Sequence, residues 1–260
     1  DEAVAAHIKS GDKIWLGGLS VADKVLSCVI EKVKQGALEN IDFYGNMTMD
    51  DIGLADKDIP ADKFRYHAFF YGGYEREGCK NGVVTNVPLH LSRFEDYVSY
   101  IDPDVAVVPM TPPNEQGFCN IGPAGYSPSG LNHAKKIIAQ INKNIPRVYG
   151  SSHDYHVNDI AAFVECHKDE LMPSSQPPTA TEEKIASYIL ERIPDGACIQ
   201  LGIGGTANAV GFGLKDKKHL GIHSEMYTDS MMELTKLGVV TNRRKSFLPG
   251  KAVTSFALGT

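Results

Sequence analysis

The sequence predicts an α/β protein built from two related domains, each an open, mostly parallel sheet with helices on both faces. Three observations carry that expectation. Strand-like and helix-like segments alternate along the chain, which is the pattern of β-α-β units and parallel sheets. The run Val105-Ala106-Val107-Val108, bounded by Pro103 and Pro109, is continuously apolar, as a strand covered on both faces would be. Finally, the opening of the chain recurs in its second half. DEAVAAHIKSGDKIWLGG at 1–18 and EEKIASYILERIPDGACIQLGIGG at 182–205 each read as an amphipathic helix, a Gly turn, a short strand and a Gly-Gly pair.

In the two copies Val4 and Ile8 correspond to Ile185 and Ile189, and Ile14-Trp15-Leu16-Gly17 to Ile199-Gln200-Leu201-Gly202. Each Gly loop leads into a helix, about 22–35 and about 206–216, and then a second strand, Ile41–Tyr44 and Ile222–Glu225. The Pro-rich stretch PSSQPPTAT at 173–181 has no apolar periodicity and reads as a linker. It separates an N-terminal α/β domain, 1–172, from the first part of a C-terminal one, 182–260. That second part would form only a small sheet with an exposed apolar edge, so the polypeptide is expected to continue beyond it.

With 42% hydrophobic and 22% charged residues the composition is that of a globular protein. No apolar run approaches the roughly 18 residues of a membrane span. A net charge of −6 and a pI near 5.8 argue against nucleic acid as the main partner, while leaving room for a local anion site. Cys28, Cys79, Cys119, Cys166 and Cys198 are scattered and odd in number, so neither a zinc site nor a disulfide framework is expected and a reducing, cytoplasmic setting fits best. Association with a membrane is not expected, and a homo-oligomer is compatible with the sequence.

Chemistry concentrates in the second half. Leu201-Gly202-Ile203-Gly204-Gly205-Thr206-Ala207 joins a strand to a helix, where glycines let the backbone approach a ligand and helix N–H groups favour an anion. Gly202-x-Gly204-x-x-Ala207 also satisfies the dinucleotide fingerprint, with Glu225 about where a ribose-binding acid would fall. An NAD-dependent oxidoreductase is therefore one reading. A tight turn that binds nothing is another. Glu225 itself lies in Gly221-Ile222-His223-Ser224-Glu225-Met226-Tyr227-Thr228-Asp229, at the end of a strand and before a helix, Ser230–Leu237, capped by Thr228 and Asp229 and closed by Gly238. Ligands bind at that edge of open α/β sheets, although a carboxylate near a helix start also fits a purely structural role.

QLGIGG at 200–205, LGIHSEMYTD at 220–229 and GVVTNRRKSFLPGK at 238–251 resemble the acetyl-CoA hydrolase/transferase family, especially its 4-hydroxybutyrate and butyryl-CoA:acetate CoA-transferases. FRYHAFFYGGYEREG at 64–78 and NVPLHLSRFEDYV at 86–98 extend the resemblance over essentially the whole chain. It implies a family I CoA-transferase-like fold, Glu225 as the catalytic nucleophile, and coenzyme A contacts from Gly202, Ile203, Gly204, Gly205 and Thr206. It further implies no prosthetic group and no metal, with acyl-CoA and a short-chain carboxylic acid (acetate, butyrate or 4-hydroxybutyrate) as partners. Hydrolysis of acyl-CoA is the natural side reaction, and a CoA- or nucleotide-binding regulatory module is the non-enzymatic alternative. Ser230 stands where the family usually has Gly, and family members carry a further Gly-rich stretch past position 260.

Other candidates are weaker. Lys215, Lys217 and Lys218, with Arg243, Arg244 and Lys245, could meet CoA phosphates but read more simply as solvated ends and loops. His153-Asp154-Tyr155-His156 lacks a further placed ligand for a metal. Ser151, Ser152 and Ser224 lie near histidines without the G-x-S-x-G elbow of a serine hydrolase. The resemblance implies that Phe69–Tyr74 lines an acyl pocket, while its own pattern reads as a core strand entering a turn, and Met110–Gly130 reads as a long Pro- and Gly-rich loop.

Overall fold

The computed structural model describes residue 4 and residues 6–125, 127–170 and 177–259. The chain divides into two compact units, Asp1–Leu171 and Met172–Thr260. Residues 1–3 and 5 of the helix expected at the start of the chain, and positions 173–176 of the expected linker, lie outside the described residues, and residues 6–10 form turns and irregular backbone where helix was expected.

The first unit contains β1 (Lys13–Trp15), α1 (Asp23–Lys34), β2 (Ile41–Gly45), β3 (Phe64–Ala68), α2 (Gly73–Lys80), β4 (Val84–Asn86), α3 (Phe94–Ile101), β5 (Val105–Met110), β6 (Phe118–Asn120), α4 (Ser127–His133), β7 (Lys136–Ile141), β8 (Asp154–His156) and β9 (Ala162–Glu165). Seven strands form one sheet in the order β4-β3-β2-β1-β5-β7-β9, and every neighbouring pair is parallel. The expected parallel strand at Val105–Val108 is present and wholly buried, but it runs through Pro109 to Met110 rather than stopping at it. β1 ends opposite Ala106, so one flank of β5 at Pro109 carries no ladder to interrupt.

Side chains alternate across the pleat and fill two cores. Ile14, Phe43, Tyr66, Val107 and Ile138 point to one face and Trp15, Ala106, Val108, Ile137 and Ala139 to the other. α1 covers the first face because Val25, Leu26, Val29, Ile30 and Val33 recur at helical spacing. Burying each contributes roughly 1.5–3 kcal/mol, so a single Val29→Asp would unseat the helix. α3 covers the second face with Phe94, Val98 and Ile101.

Buried carboxylates tie down the loops at the carboxyl edge of this sheet. Glu75 accepts from Thr48 N at 2.7 Å, Thr48 Oγ1 at 3.0 Å and Gly72 N at 2.9 Å. Asp50 accepts from Val21 N at 2.9 Å, and Lys168 Nζ donates to Asp50 Oδ1 at 2.6 Å and Asp23 Oδ1 at 2.7 Å. Met110–Gly130 is not one irregular loop: β6 pairs antiparallel with β8, and α4 begins at Ser127. That strand partner lies more than thirty residues away, out of reach of any local pattern.

The second unit contains α5 (Ala180–Leu190), β10 (Cys198–Ile199), α6 (Gly205–Gly213), β11 (Gly221–Ile222), β12 (Met226–Tyr227), α7 (Asp229–Lys236) and β13 (Phe256–Ala257). α5 starts inside the stretch read as linker, because Thr179 caps it: Thr179 Oγ1 accepts from Glu182 N, and the Glu182 carboxylate reaches back to Thr179 N at 2.7 Å. β10 and β11 pair in parallel through α6, the same β-α-β arrangement as β1, α1 and β2. A separate parallel pair joins β12 to β13. Ile199, Leu201, Val210, Leu214, Ile222, Met231 and Leu234 form this unit's core.

Candidate functional site

Parallel pairing of β10 and β11 brings the two motifs of the second unit together. Ile199 stands opposite Ile222, so the Gly loop leaves one strand and His223-Ser224-Glu225 the next, both at the carboxyl edge. Gly204 has φ +122°, a conformation that favours glycine, and serves as the N-cap of α6. Gly202, Ile203 and Gly204 are exposed, Ile203 to 72%, while Gly205 and Thr206 begin the helix. Open space surrounds Gly202 and Gly204, whereas a Cβ on Gly205 would collide with the Glu182 carboxylate. The loop is thus an exposed turn of glycines against a helix N-terminus, where the macrodipole favours an anion.

Ser224 links this loop to Glu225. The hydroxyl is buried, donates to Leu201 O at 3.2 Å and accepts from Leu201 N at 3.4 Å. The main chain around Glu225 is pinned from the other side: Ser224 N donates to Val253 O at 3.0 Å, and Glu225 O accepts from Ser255 N at 2.8 Å and Phe256 N at 3.3 Å. The Glu225 residue itself is exposed. A pinned backbone carrying an exposed glutamate, one residue past a link to an anion-favouring loop, can present a nucleophile to a bound anionic ligand.

Two local expectations change. The strand read as Ile222–Glu225 is only Gly221–Ile222, continued by a bridge at His223, and β12 intervenes between Glu225 and the next helix. That helix is Asp229–Lys236 and follows Thr228, with Gly238 at φ +74° beyond its end. β12 exists because Phe256 and Ala257 return to pair with it, a contact across thirty residues.

Of the basic candidates, Lys215, Lys217 and Lys218 precede β11 at the amino edge, opposite the Gly loop; Lys218 N donates to Asp195 there. Arg243 and Arg244 are exposed. Lys245 departs from the solvated reading: it is buried, and its ammonium donates to Ile222 O at 2.7 Å and Lys251 O at 2.6 Å. In the first unit, Asp154 pairs with Arg147 at 2.6 Å and accepts from Asn120, while His156 Nδ1 accepts from Asn158 N. Burial lowers the pKa of His153 despite Asp154 beside it. Among the described residues no group of three or more His, Cys, Asp or Glu is placed to hold a metal ion. Phe69 is partly buried and packs against the core, its ring tilted against Trp15 and edge-on to Phe94 and Tyr97, and Phe70 is exposed.

The chain is 35% identical over its whole length to butyryl-CoA:acetate CoA-transferase of Anaerostipes caccae, covering 60% of that protein. Over 76% of its length it is 39% identical to 4-hydroxybutyrate coenzyme A transferase of Clostridium kluyveri, covering 46% of it. Among solved structures, RipA from Yersinia pestis superposes with a TM-score of 0.91 at 26% identity, over all of this chain and 63% of RipA. The chain therefore spans about half to two thirds of the length of the relatives it matches. The family model for the acetyl-CoA hydrolase/transferase N-terminal domain matches residues 1–174. From its sequence and its architecture alike, the chain belongs to the acetyl-CoA hydrolase/transferase family.

Proposed function

We propose that the protein is an acyl-CoA:carboxylate CoA-transferase of the short-chain class, with Glu225 as the covalent nucleophile and Gly202, Ile203, Gly204, Gly205 and Thr206 contacting coenzyme A. The observation that carries this reading is the Ser224–Leu201 link, which joins the Glu225 segment to the Gly loop at the carboxyl edge of two adjacent parallel strands. The matched relatives are CoA-transferases by name, which favours acyl exchange over the dinucleotide alternative.

The reaction balances without ATP, metal or redox partner. The Glu225 carboxylate attacks the acyl-CoA carbonyl and expels CoA thiolate, leaving an acyl–glutamyl anhydride. The thiolate then attacks the glutamyl carbonyl, releasing the first carboxylate and forming a γ-glutamyl-CoA thioester. An acceptor carboxylate attacks that thioester to give a second anhydride and thiolate, and thiolate attack on the acceptor's acyl carbon restores Glu225 with the new acyl-CoA. Two half-reactions make the kinetics ping-pong. A carboxylate is a weak nucleophile, so N–H donors near the Gly loop are given the task of holding the tetrahedral oxyanion, an effect of about 3–4 kcal/mol per donor. Remote contacts to the long CoA moiety supply energy for placing the carbonyl, and water reaching either intermediate would convert transfer to hydrolysis. A cytoplasmic setting belongs to the same reading.

The test is peptide-level mass spectrometry after brief incubation with butyryl-CoA and no acceptor acid. A CoA adduct on the peptide containing Glu225, absent in Glu225→Ala, is the expected result. An unmodified peptide, with NAD protecting the protein from proteolysis instead, would refute transferase chemistry and favour the dinucleotide reading.

A further inference from the structure

The outer edge of β11 is held by side chains where a strand would ordinarily lie. Isolated bridges join Leu220 to Val240 and His223 to Val253, one on each side of Ile222. Between them, Ile222 N donates to Asn242 Oδ1 at 2.8 Å, while Ile222 O accepts from Lys245 Nζ at 2.7 Å and Val253 N at 3.1 Å. The same ammonium donates to Lys251 O at 2.6 Å. Asn242 is fixed in turn: it holds φ +56°, donates its N–H to Leu220 O and accepts Gly250 N on its own carbonyl. Gly221 leaves room for the lysine stem, since a Cβ there would lie 2.5 Å from Lys245 Cγ.

Burying an ammonium is expensive, and an apolar side chain would serve if packing were the sole requirement. What the ammonium adds is a tie between two backbone segments. It fastens Ile222, three residues before Glu225, to Lys251, which opens the segment whose Val253, Ser255 and Phe256 bond Ser224 and Glu225.

We infer that Lys245, assisted by Asn242, is a positioning residue that fixes the main chain of Glu225 for attack on the thioester. This rests on Glu225 being the nucleophile. Neither side chain needs to touch substrate: they act through Ile222 and Lys251.

Amide hydrogen exchange and adduct formation with butyryl-CoA, measured on the same preparations, test it. In Lys245→Met, exchange at the Ser224, Ser255 and Phe256 amides should quicken at least tenfold, with β5 and β7 unchanged. The rate of adduct formation at saturating butyryl-CoA should fall at least tenfold while the half-saturating concentration stays within twofold. Wild-type exchange, or a wild-type adduct rate, in Lys245→Met overturns the inference. Absence of any adduct in the wild-type protein instead overturns the nucleophile assignment, and with it the catalytic purpose given to Lys245. Should Lys245→Met abolish the cooperative melt of the second unit, Asn242→Ala carries the test. Tenfold faster exchange at Ile222 and a slower adduct rate are then expected, and wild-type values of either would overturn the inference.

Discussion

Replacing Lys168 by Met should destabilise the first unit by about 3 kcal/mol. The ammonium lies 2.6 Å from Asp50 and 2.7 Å from Asp23, and the Asp50 side chain is only 6% exposed. Methionine retains most of the apolar stem, so the change removes chiefly the charge. Breaking a buried pair from one side costs about 3–5 kcal/mol, because the remaining charge is left uncompensated. The lower end applies here, since Lys168 and Asp23 are each about a quarter exposed and Val21 N still bonds Asp50. Trp15, the sole tryptophan, is buried in the same unit, so its fluorescence follows that unit's unfolding in urea. With a slope of about 2 kcal/mol/M the midpoint should fall by about 1.5 M. A fall of less than about 0.5 M at unchanged slope would refute the claim that this ammonium compensates Asp50.

The same pair fixes the pH response. Burial pushes the Asp23 carboxyl up, but hydrogen bonds from Lys168 and Gln140 outweigh it and leave the pKa lowered. Its contribution is therefore present above about pH 4 and lost as pH falls through the lowered value. Burial depresses Lys168, yet Asp23 and Asp50 raise it overall, so its contribution is full below about pH 10 and lost as pH rises through the raised value. The stability difference between wild type and Lys168→Met, measured from pH 2 to 11, should narrow at both ends. Ser224→Ala should cost the second unit about 1–3 kcal/mol, by leaving Leu201 N–H and C=O without their hydroxyl partner, and should slow adduct formation on Glu225; a normal melt with a normal rate would show that the link is dispensable. Gly205→Ala must displace the Glu182 carboxylate from its capping box, for a loss of about 1 kcal/mol in thermal unfolding. Gly202→Ala meets open space and should leave stability within about 0.5 kcal/mol while weakening CoA in a titration. A clear stability loss at Gly202 would mean that the glycine serves the fold and not the ligand.

Local patterns made much of this legible. α1 shows its buried stripe at Val25, Val29 and Val33, and β5 shows its unbroken apolar run, because both features repeat within a few residues. The Gly loop and Glu225 were visible as motifs, and their adjacency followed from the repeated β-α-β pattern. Ser224, Asn242 and Lys245 were not singled out for the roles they take. Each acts on backbone twenty or more residues away, and a polar side chain that bonds a distant carbonyl looks, in sequence, like one that bonds water. β12 escaped notice for the same reason: two residues become a strand only when Phe256 and Ala257 arrive beside them.

The doubly anchored Ile222 has a consequence for which residue is presented at the edge. β10 and β11 share only two paired positions, too few to resist a slip by one place on their own. A slip of that size in any strand turns every side chain to the opposite face. Here it would put Ser224 or Met226 where Glu225 belongs, and would pull the Ile222 amide from Asn242 and its carbonyl from Lys245 together. Two polar side chains on one turn thus index the strand like a pin in a rack. Loss of either would leave the register of β11 resting on fewer bonds, three residues before the position where the chemistry is assigned.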